Sequence, residues 1–290
     1  MSNPTNESKK KIAIFTEDDY VWAFPTFAQT IPLLLEKHEL VGIYLFSQRL
    51  GKLEGIQKYL WHLRVFGFWN FLITSLFAVK KLWNQLWLPI RTWRQLADHY
   101  EVELHYAPTP NSETVINWTK ENEIDIVILM VDHILKKEII NSPKIGIINK
   151  HAAILPSCRG IFPFFWARLN DIPTGITFHE VDTGIDTGNI LVQMNYPEKE
   201  HDISMLRFYM DVYALFPEMA LLAIDRLISH TYIVPLLDIN SSYFSLPQRS
   251  DFKRFQKMGF RICSFRDLVY RPPDHIKALL SQTYVAATRT

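Results

Sequence analysis

The chain has 290 residues, of which 48% are hydrophobic, and its 31 basic and 30 acidic side chains leave a net charge of +1. This composition excludes a disordered chain, and the balanced charge argues against a nucleic-acid surface over most of the protein, although a local basic patch remains compatible with it. The length allows one large domain, or one domain of about 200 residues with a smaller appendage.

Only two cysteines, Cys158 and Cys263, are present. Two cysteines are too few for a disulfide framework, so we expect a reduced, cytoplasmic location. The first ten residues are polar and lack the apolar core of a signal peptide, and they are predicted to form a flexible leader.

Strand-like and helix-like segments alternate along the first half of the chain. The strand-like segments are short apolar runs rich in β-branched residues, whereas the helix-like segments have a helical apolar period. This alternation predicts an α/β fold with a doubly wound, mostly parallel, Rossmann-like sheet, which binds ligands at the carboxyl ends of its strands. Strands are predicted at 11–16, 39–46, 102–106, 125–131 and 145–149, and helices at 23–37, 92–100, 112–121 and 135–141.

An aromatic-rich segment at about 56–97 interrupts this pattern and is predicted to be a helical insertion. It contains 15 consecutive uncharged residues, 65–79, flanked by Arg64, Lys80 and Lys81. A membrane-spanning helix needs about 20 apolar residues, so this run is too short. Two interpretations remain: a buried or partner-facing helix pair, as in a homodimer, and a helix on a membrane surface, where Trp mixes with Lys and Arg.

The second half of the chain continues with strands predicted at 175–181 and 189–194 and a long helix at 204–228. The predicted catalytic domain covers 11–235, and a C-terminal extension covers 236–290. Within the extension, residues 249–271 carry seven basic side chains against two acidic ones, which we interpret as solvated surface rather than a nucleic-acid site.

Three polar residues near the middle of the chain have the chemistry of acyl transfer. Asn149 and His151 are two apart at the end of a buried strand, so both can face one cleft. An imidazole can accept or donate a proton near neutral pH, and an amide can donate to an oxyanion. The carboxylate of Asp186 can orient the imidazole. An Asn-x-His pattern alone is weak evidence, so the signal lies in the motifs around it.

These motifs occur in a specific order: a buried strand, Asn-x-His, Leu-Pro, Arg-Gly, then Gly-x-Thr-x-His at 175–179 and Asp-Thr-Gly at 186–188. The order resembles the formyltransferase superfamily that uses 10-formyltetrahydrofolate, closely over 125–193 and loosely over 11–228. The resemblance implies a formyltransferase fold with Asn149, His151 and Asp186 as catalytic residues. It also implies folate-binding residues, namely Met130, Val131, Asp132, His133, Ile134, Val181, Asp182, Thr183, Gly184 and Ile185.

The chain departs from the family pattern at several positions. Ala153 stands where the family often has a serine, and Asp132 and His133 replace small or apolar residues. We interpret His133 as part of the pocket wall and His179 as a structural or pocket-wall residue. His179 and Glu180 would face opposite sides of a strand, and no other spacing predicts a metal site.

The resemblance leaves the amine acceptor open. We expect an amino sugar linked to a nucleotide, as in surface-polysaccharide synthesis, since the 55 residues after Pro235 are too few for the β-barrel domain of the tRNA-formylating members. The alternatives are methionyl-tRNA formylation, hydrolysis of formyltetrahydrofolate and a non-catalytic folate-binding module.

Overall fold

The computed structural model describes residues 9–196 and 203–273. Most of the predicted leader and the end of the predicted C-terminal extension lie outside these residues. The strands are β1 (Lys11–Glu17), β2 (Glu39–Phe46), β3 (Arg49–Leu50), β4 (Leu53–Glu54), β5 (Glu103–Ala107), β6 (Ile126–Met130), β7 (Gly146–His151), β8 (Arg159–Gly160), β9 (Gly175–Glu180), β10 (Ile190–Asn195) and β11 (Tyr243–Phe244). The helices are α1 (Ala23–Lys37), α2 (Ile56–Phe66), α3 (Phe68–Gln85), α4 (Trp93–Tyr100), α5 (Glu113–Glu121), α6 (Lys137–Ile140), α7 (Pro163–Leu169), α8 (Met205–Ile228) and α9 (Arg249–Lys257), with a 3-10 helix at Phe265–Leu268.

Seven of these strands form one central sheet in the order β10-β9-β7-β6-β1-β2-β5. All pairings among β1, β2, β5, β6 and β7 are parallel, whereas β9 pairs antiparallel with both β7 and β10. The predicted α/β fold with a mostly parallel sheet is therefore confirmed. Outside the central sheet, β11 pairs parallel with β8.

Helices cover both faces of the sheet. Successive side chains of a strand point to opposite faces, so Ile12 and Ile14 of β1 belong to the core beneath α1 and α8, and Ala13 and Phe15 to the core beneath α5 and α6. All four side chains are fully buried. This is why the strands are continuous apolar runs rather than alternating ones.

The aromatic-rich segment forms the helix pair α2 and α3. Its inner face adds Val65, Phe66, Ile73 and Phe77 to the core beneath α1 and α8. Its outer face is exposed, with Trp69 at 66% and Trp83 at 60% of full exposure. Within 9–196 and 203–273, no helix is both long enough and apolar enough to cross a bilayer.

The basic segment 249–271 packs onto the rest of the fold more closely than the sequence predicts. Phe255 of α9 is fully buried and stacks on Phe165 of α7 at 4.5 Å between ring centroids. Arg249 donates to the carbonyl of Val65, and Arg254 donates to the carbonyl of Leu169, at or next to the last residues of α2 and α7. Cations often bind the last carbonyls of a helix in this way. Both arginines nevertheless remain exposed, as the solvated-surface prediction expects.

A first prediction concerns the contact that joins the sheet to its helices. Phe216 of α8 is fully buried and its ring lies 5.4 Å from that of Phe27 and 5.2 Å from that of Phe178. Phe216→Ala should lower the free energy of unfolding by about 3–5 kcal/mol, because it leaves a cavity at this junction. Denaturant unfolding measures the change. Phe265→Ala, at a ring that is 58% exposed, is the control and should change stability by less than about 1 kcal/mol; equal losses would contradict the packing described.

Candidate active site

A cleft of about 1210 Å³ opens at the carboxyl ends of β1, β6 and β7. The sheet contributes Glu17, Met130 and the stretch 149–151 to its lining, α8 contributes Tyr209 and Tyr213, and the insertion contributes side chains of α2 and α3. This is the position at which open α/β sheets bind their ligands. The volume exceeds that of a pocket for one drug-sized molecule, so two substrates can lie side by side.

The strand β7 places Asn149 and His151 at this cleft, as the sequence predicts. In the antiparallel register with β9, Asn149 lies opposite His179 and His151 lies opposite Thr177. Residues that are paired across two strands point to the same face of a sheet. Asn149, His151 and His179 therefore share one face at the strand end.

The loop 152–160 returns over the end of β7 and is held by buried polar groups. The Thr177 hydroxyl donates to the Ala153 carbonyl at 2.7 Å, and the Gln193 amide donates to the Leu155 carbonyl at 2.9 Å. These bonds bring the carbonyl oxygen of Cys158 to 2.8 Å from Nε2 of His151. The loop thereby fixes the orientation of the imidazole.

The loop after β9 brings Asp186 to the same place. Its Oδ2 lies 3.6 Å from Nδ1 of His151 and accepts the backbone N–H of Gly160 at 2.9 Å, while its Oδ1 lies 3.5 Å from Nε2 of His179. Gly160 has a φ of +96°, and a Cβ there would lie 2.2 Å from the carbonyl oxygen of Phe244. Only glycine fits this position, which explains the Arg-Gly part of the motif.

The two imidazoles are arranged alike around the carboxylate. One nitrogen of each ring faces a backbone carbonyl: Nε2 of His151 faces Cys158, and Nδ1 of His179 faces the carbonyl of Glu180 at 2.8 Å. A carbonyl only accepts, so these nitrogens must carry hydrogens. In the neutral rings, the nitrogens that face Asp186 are then unprotonated and can accept a proton.

Burial and charge set the protonation of this group. Burial lowers the pKa of His151, and the nearby Asp186 carboxylate opposes that effect only in part. Burial tends to raise the pKa of Asp186, but its contacts with His151, His179 and the Gly160 N–H outweigh it and hold that pKa well below its usual range. At neutral pH the site therefore holds a neutral His151 beside an ionised Asp186.

His179 is predicted to be a structural or pocket-wall residue, but it also contacts the carboxylate of the site. Its side chain is 2% exposed and its Nε2 lies against Asp186. The Gly-x-Thr-x-His pattern marked the position, but the contact depends on β9 lying antiparallel to β7. That pairing is not readable from the sequence of either strand.

The residues implied as folate-binding lie mostly along the cleft. Those that line it are Met130, Val131, Asp132, His133, Ile134, Val181, Asp182, Gly184 and Ile185. Thr183 is exposed and does not line it. His133 is 8% exposed, and burial and the charge of Arg49 lower its pKa, in agreement with a pocket-wall role.

A second group of titratable side chains in the cleft was not predicted. Lys150 points to the α8 side of β7, where its Nζ lies 4.0 Å from the centroid of the Tyr213 ring. Desolvation in the cleft lowers the pKa of Lys150 to about 8 and raises the pKa of Glu17 to about 8. It also raises the pKa of Asp132 to about 6, although this side chain is open to the cleft. Three groups thus titrate near neutral pH in the same cleft as His151.

In the described part of the chain, no group of three or more His, Cys, Asp or Glu side chains is arranged to hold a metal ion.

The middle of the chain is similar in sequence to known formyltransferases. Residues 96–205 match the family model described as formyl transferase. The methionyl-tRNA formyltransferase of Nostoc sp. is 36% identical over 107 residues, which cover 36% of this chain and 31% of that protein. The enzyme of the same name from Borreliella burgdorferi is 31% identical over 157 residues, which cover 52% of this chain and 49% of that protein. The chain thus spans about half or less of the length of these two relatives.

Solved structures with the same fold include two N-formylating enzymes. The N-formyltransferase of Helicobacter canadensis, solved with folinic acid and dTDP-3-aminofucose, has a TM-score of 0.51 at 20% identity and covers 84% of this chain and 72% of its own. The phosphoribosylglycinamide formyltransferase of Bacillus halodurans has a TM-score of 0.51 at 18% identity, over 79% of this chain and all of its own. At sequence identities of 18–20%, this structural similarity establishes the fold alone.

A prediction follows from the contact between His151 and Asp186. In an NMR titration, the imidazole of His151 should have a pKa below its ordinary 6.5. Asp186→Asn should lower that pKa further, because it removes the charge that favours the imidazolium. Signals are assigned with His151→Gln and His179→Gln. A His151 pKa that rises in Asp186→Asn would contradict this description of the site.

Proposed function

Because residues 96–205 match the formyl transferase family model, we propose that this chain belongs to the formyltransferase superfamily and transfers a formyl group from 10-formyltetrahydrofolate to a primary amine. The observation that carries the proposal is the neutral His151 with its Nδ1 3.6 Å from the ionised Asp186, in the same cleft as Asn149. Formyltetrahydrofolate supplies a formyl carbon that an amine can attack. The chain supplies proton transfer and stabilisation of charge.

His151 is the proton-transfer residue in this proposal. Its Nε2–H is engaged by the carbonyl of Cys158, so the atom that accepts the proton is Nδ1. Asp186 beside that atom stabilises the imidazolium once it forms. The protonated ring can then give its proton to the departing folate nitrogen, which completes the transfer.

Asn149 is the donor to the oxyanion. When the amine nitrogen bonds to the formyl carbon, the carbonyl oxygen gains negative charge. A fixed amide N–H and the imidazolium of His151 stabilise that charge, and losing one such donor typically slows a reaction by about a hundredfold or more. Asn149 lines the cleft beside His151, which is the position this role requires.

The cleft suits an amine that must lose a proton before and after its attack. An amine is a nucleophile only when neutral, and it arrives largely protonated at neutral pH. Glu17, Asp132 and Lys150 have pKa values of about 8, 6 and 8, so each exchanges protons near pH 7. The carboxylate of Asp132, which is mainly ionised at pH 7, also attracts an ammonium group.

The folate donor fits the lining of the cleft. Its walls at 129–135 and 181–185 combine apolar side chains with backbone groups, which is typical of sites for flat heterocycles. Met130, Val131 and Ile134 are the apolar residues that would hold it, with Asp132, His133, Val181, Asp182, Gly184 and Ile185 around them. Thr183 is left out of this set because it does not line the cleft.

An amino sugar attached to a nucleotide is the acceptor we favour. It is supported by the Helicobacter canadensis enzyme, which has this fold and was solved with dTDP-3-aminofucose. The second candidate is methionyl-tRNA, because the relatives in sequence are methionyl-tRNA formyltransferases.

The acceptor experiment measures release of tetrahydrofolate from 10-formyltetrahydrofolate by absorbance. The reaction is run with a panel of amino-sugar nucleotides, with methionyl-tRNA and with no acceptor. We expect release with one amino sugar and none without an acceptor. Release with methionyl-tRNA alone would move the assignment to tRNA, release without any acceptor would identify a hydrolase, and no release in any arm would overturn the proposal.

Substitutions in the site should separate catalysis from folding. His151→Ala should reduce kcat by about 10²–10⁴-fold and Asn149→Ala by about a hundredfold, while both remain folded. Asp186→Asn should also lose most of the turnover. The control is His99→Ala, at an exposed position of α4 outside the cleft. Near-wild-type rates in His151→Ala would remove this mechanism, and circular dichroism checks that each variant folds.

A further inference from the structure

The outer face of α2, α3 and the turn after α3 is rich in exposed apolar side chains. Of the 22 large hydrophobic side chains that are exposed in the described part of the chain, 13 lie between Ile56 and Leu88. They recur at helical spacing, every three or four residues, so they form a stripe on each helix. The stripe comprises Ile56, Tyr59, Leu60 and Leu63 on α2, Phe68, Trp69, Leu76, Val79, Leu82 and Trp83 on α3, and Leu86, Trp87 and Leu88 after it.

This stripe is distinct from the face that packs on the core. On α3, Ile73 and Phe77 are buried, whereas Trp69, Leu76 and Trp83 are 41–66% exposed. An ordinary surface helix carries polar residues opposite its buried stripe. Here both faces carry apolar side chains, and an exposed patch of 13 large apolar side chains is typical of an interaction site.

Within the segment that carries the stripe, the charges have one sign. Residues 55–97 contain six basic side chains, namely Lys58, Arg64, Lys80, Lys81, Arg91 and Arg94, and no acidic one. The whole chain has nearly equal numbers of both. Arg64, Arg91 and Arg94 are exposed beside the apolar stripe. A partner that covers this face must therefore be apolar within and negatively charged at its surface.

We propose that the outer face of α2 and α3 binds the surface of an anionic lipid bilayer. Three exposed tryptophans, Trp69, Trp83 and Trp87, suit the level of the lipid headgroups, where aromatic rings with one polar edge are enriched. Basic side chains beside them attract anionic headgroups. The helices lie on the membrane and do not cross it, since neither is long and apolar enough to span it.

A second copy of the chain fits this face less well. A two-fold interface brings the same patch of both subunits together. The exposed Arg64, Arg91 and Arg94 on each side, with no acidic partner in 55–97, would repel one another there. The charge therefore favours an anionic surface over a homodimer.

Membrane binding at this face would place the cleft at the lipid–water interface. The same two helices supply part of the cleft wall: Lys58, Tyr59 and His62 from α2 and Thr74, Phe77 and Ala78 from α3. If the proposed function holds, formyl transfer then takes place at the membrane surface. The docking itself does not depend on catalysis.

The test is co-sedimentation of the full chain with vesicles. We expect binding to vesicles of phosphatidylcholine with phosphatidylglycerol, and binding weaker by about tenfold or more to phosphatidylcholine alone. Trp69→Ser with Trp83→Ser should weaken binding by about tenfold or more, because the aromatic anchors are lost. Arg64→Gln with Arg94→Gln should weaken binding about fivefold per residue, only to the anionic vesicles.

Matched controls carry the same substitutions elsewhere. Tyr106→Ser with Val234→Ser alters exposed side chains outside the insertion, and Lys120→Gln with Lys136→Gln removes two exposed charges on the α5 side of the sheet. Both should bind vesicles as the parent chain does. Equal binding by every variant, or no vesicle binding at all, would overturn the proposal. So would a dimer in light scattering that Trp69→Ser with Trp83→Ser dissociates.

The design separates this inference from the proposed function. His151→Ala should bind vesicles normally, because it acts only on turnover. Trp69→Ser with Trp83→Ser should keep the parent rate with a water-soluble acceptor, because both side chains lie outside the cleft lining. Failure of vesicle binding with intact turnover would remove only the membrane proposal.

Discussion

The antiparallel pairing of β9 with β7 is the constraint on which the site depends. It places His179 opposite Asn149 and starts the loop that carries Asp186 back to His151. The parallel strands alone would supply Asn149, His151 and the wall at 129–135, but no carboxylate beside the imidazole. Hydrogen bonds from Thr177 and Gln193 of β9 and β10 also hold the loop whose Cys158 carbonyl orients His151.

The sequence predicts most of the fold and part of the site. Buried parallel strands and helices have strong periodic signals, and the bounds of β1, β2 and α1 are predicted to within a residue. Asn149 and His151 are two apart, so their shared direction follows from strand geometry. His179 is different, because its contact with Asp186 depends on a pairing between separate segments. Lys150 is missed for a related reason, since the cleft extends to the α8 side of the same strand.

Other departures also come from tertiary contacts. The basic side chains of 249–271 are exposed, as predicted, but the hydrogen bonds of Arg249 and Arg254 to carbonyls near the ends of α2 and α7 are not predicted. Composition records charge but not which carbonyls lie within reach. For the aromatic insertion, the sequence predicts helices that are either buried or partner-facing, or lie on a membrane, and the structure buries one apolar face and leaves the other exposed. That outer face is an energetic cost to the isolated chain, which a bound partner would relieve.

The central claim is that a neutral His151, held beside an ionised Asp186, accepts the proton of the attacking amine. The pH dependence of kcat/KM, measured with the acceptor that releases tetrahydrofolate, tests it most directly. His151 must be neutral to act, and burial lowers its pKa, so its protonation should add a fall in rate at acid pH with a midpoint below 6.5. The residual activity of Asp186→Asn should show the same fall at a still lower pH. A midpoint that Asp186→Asn leaves unchanged would contradict the account.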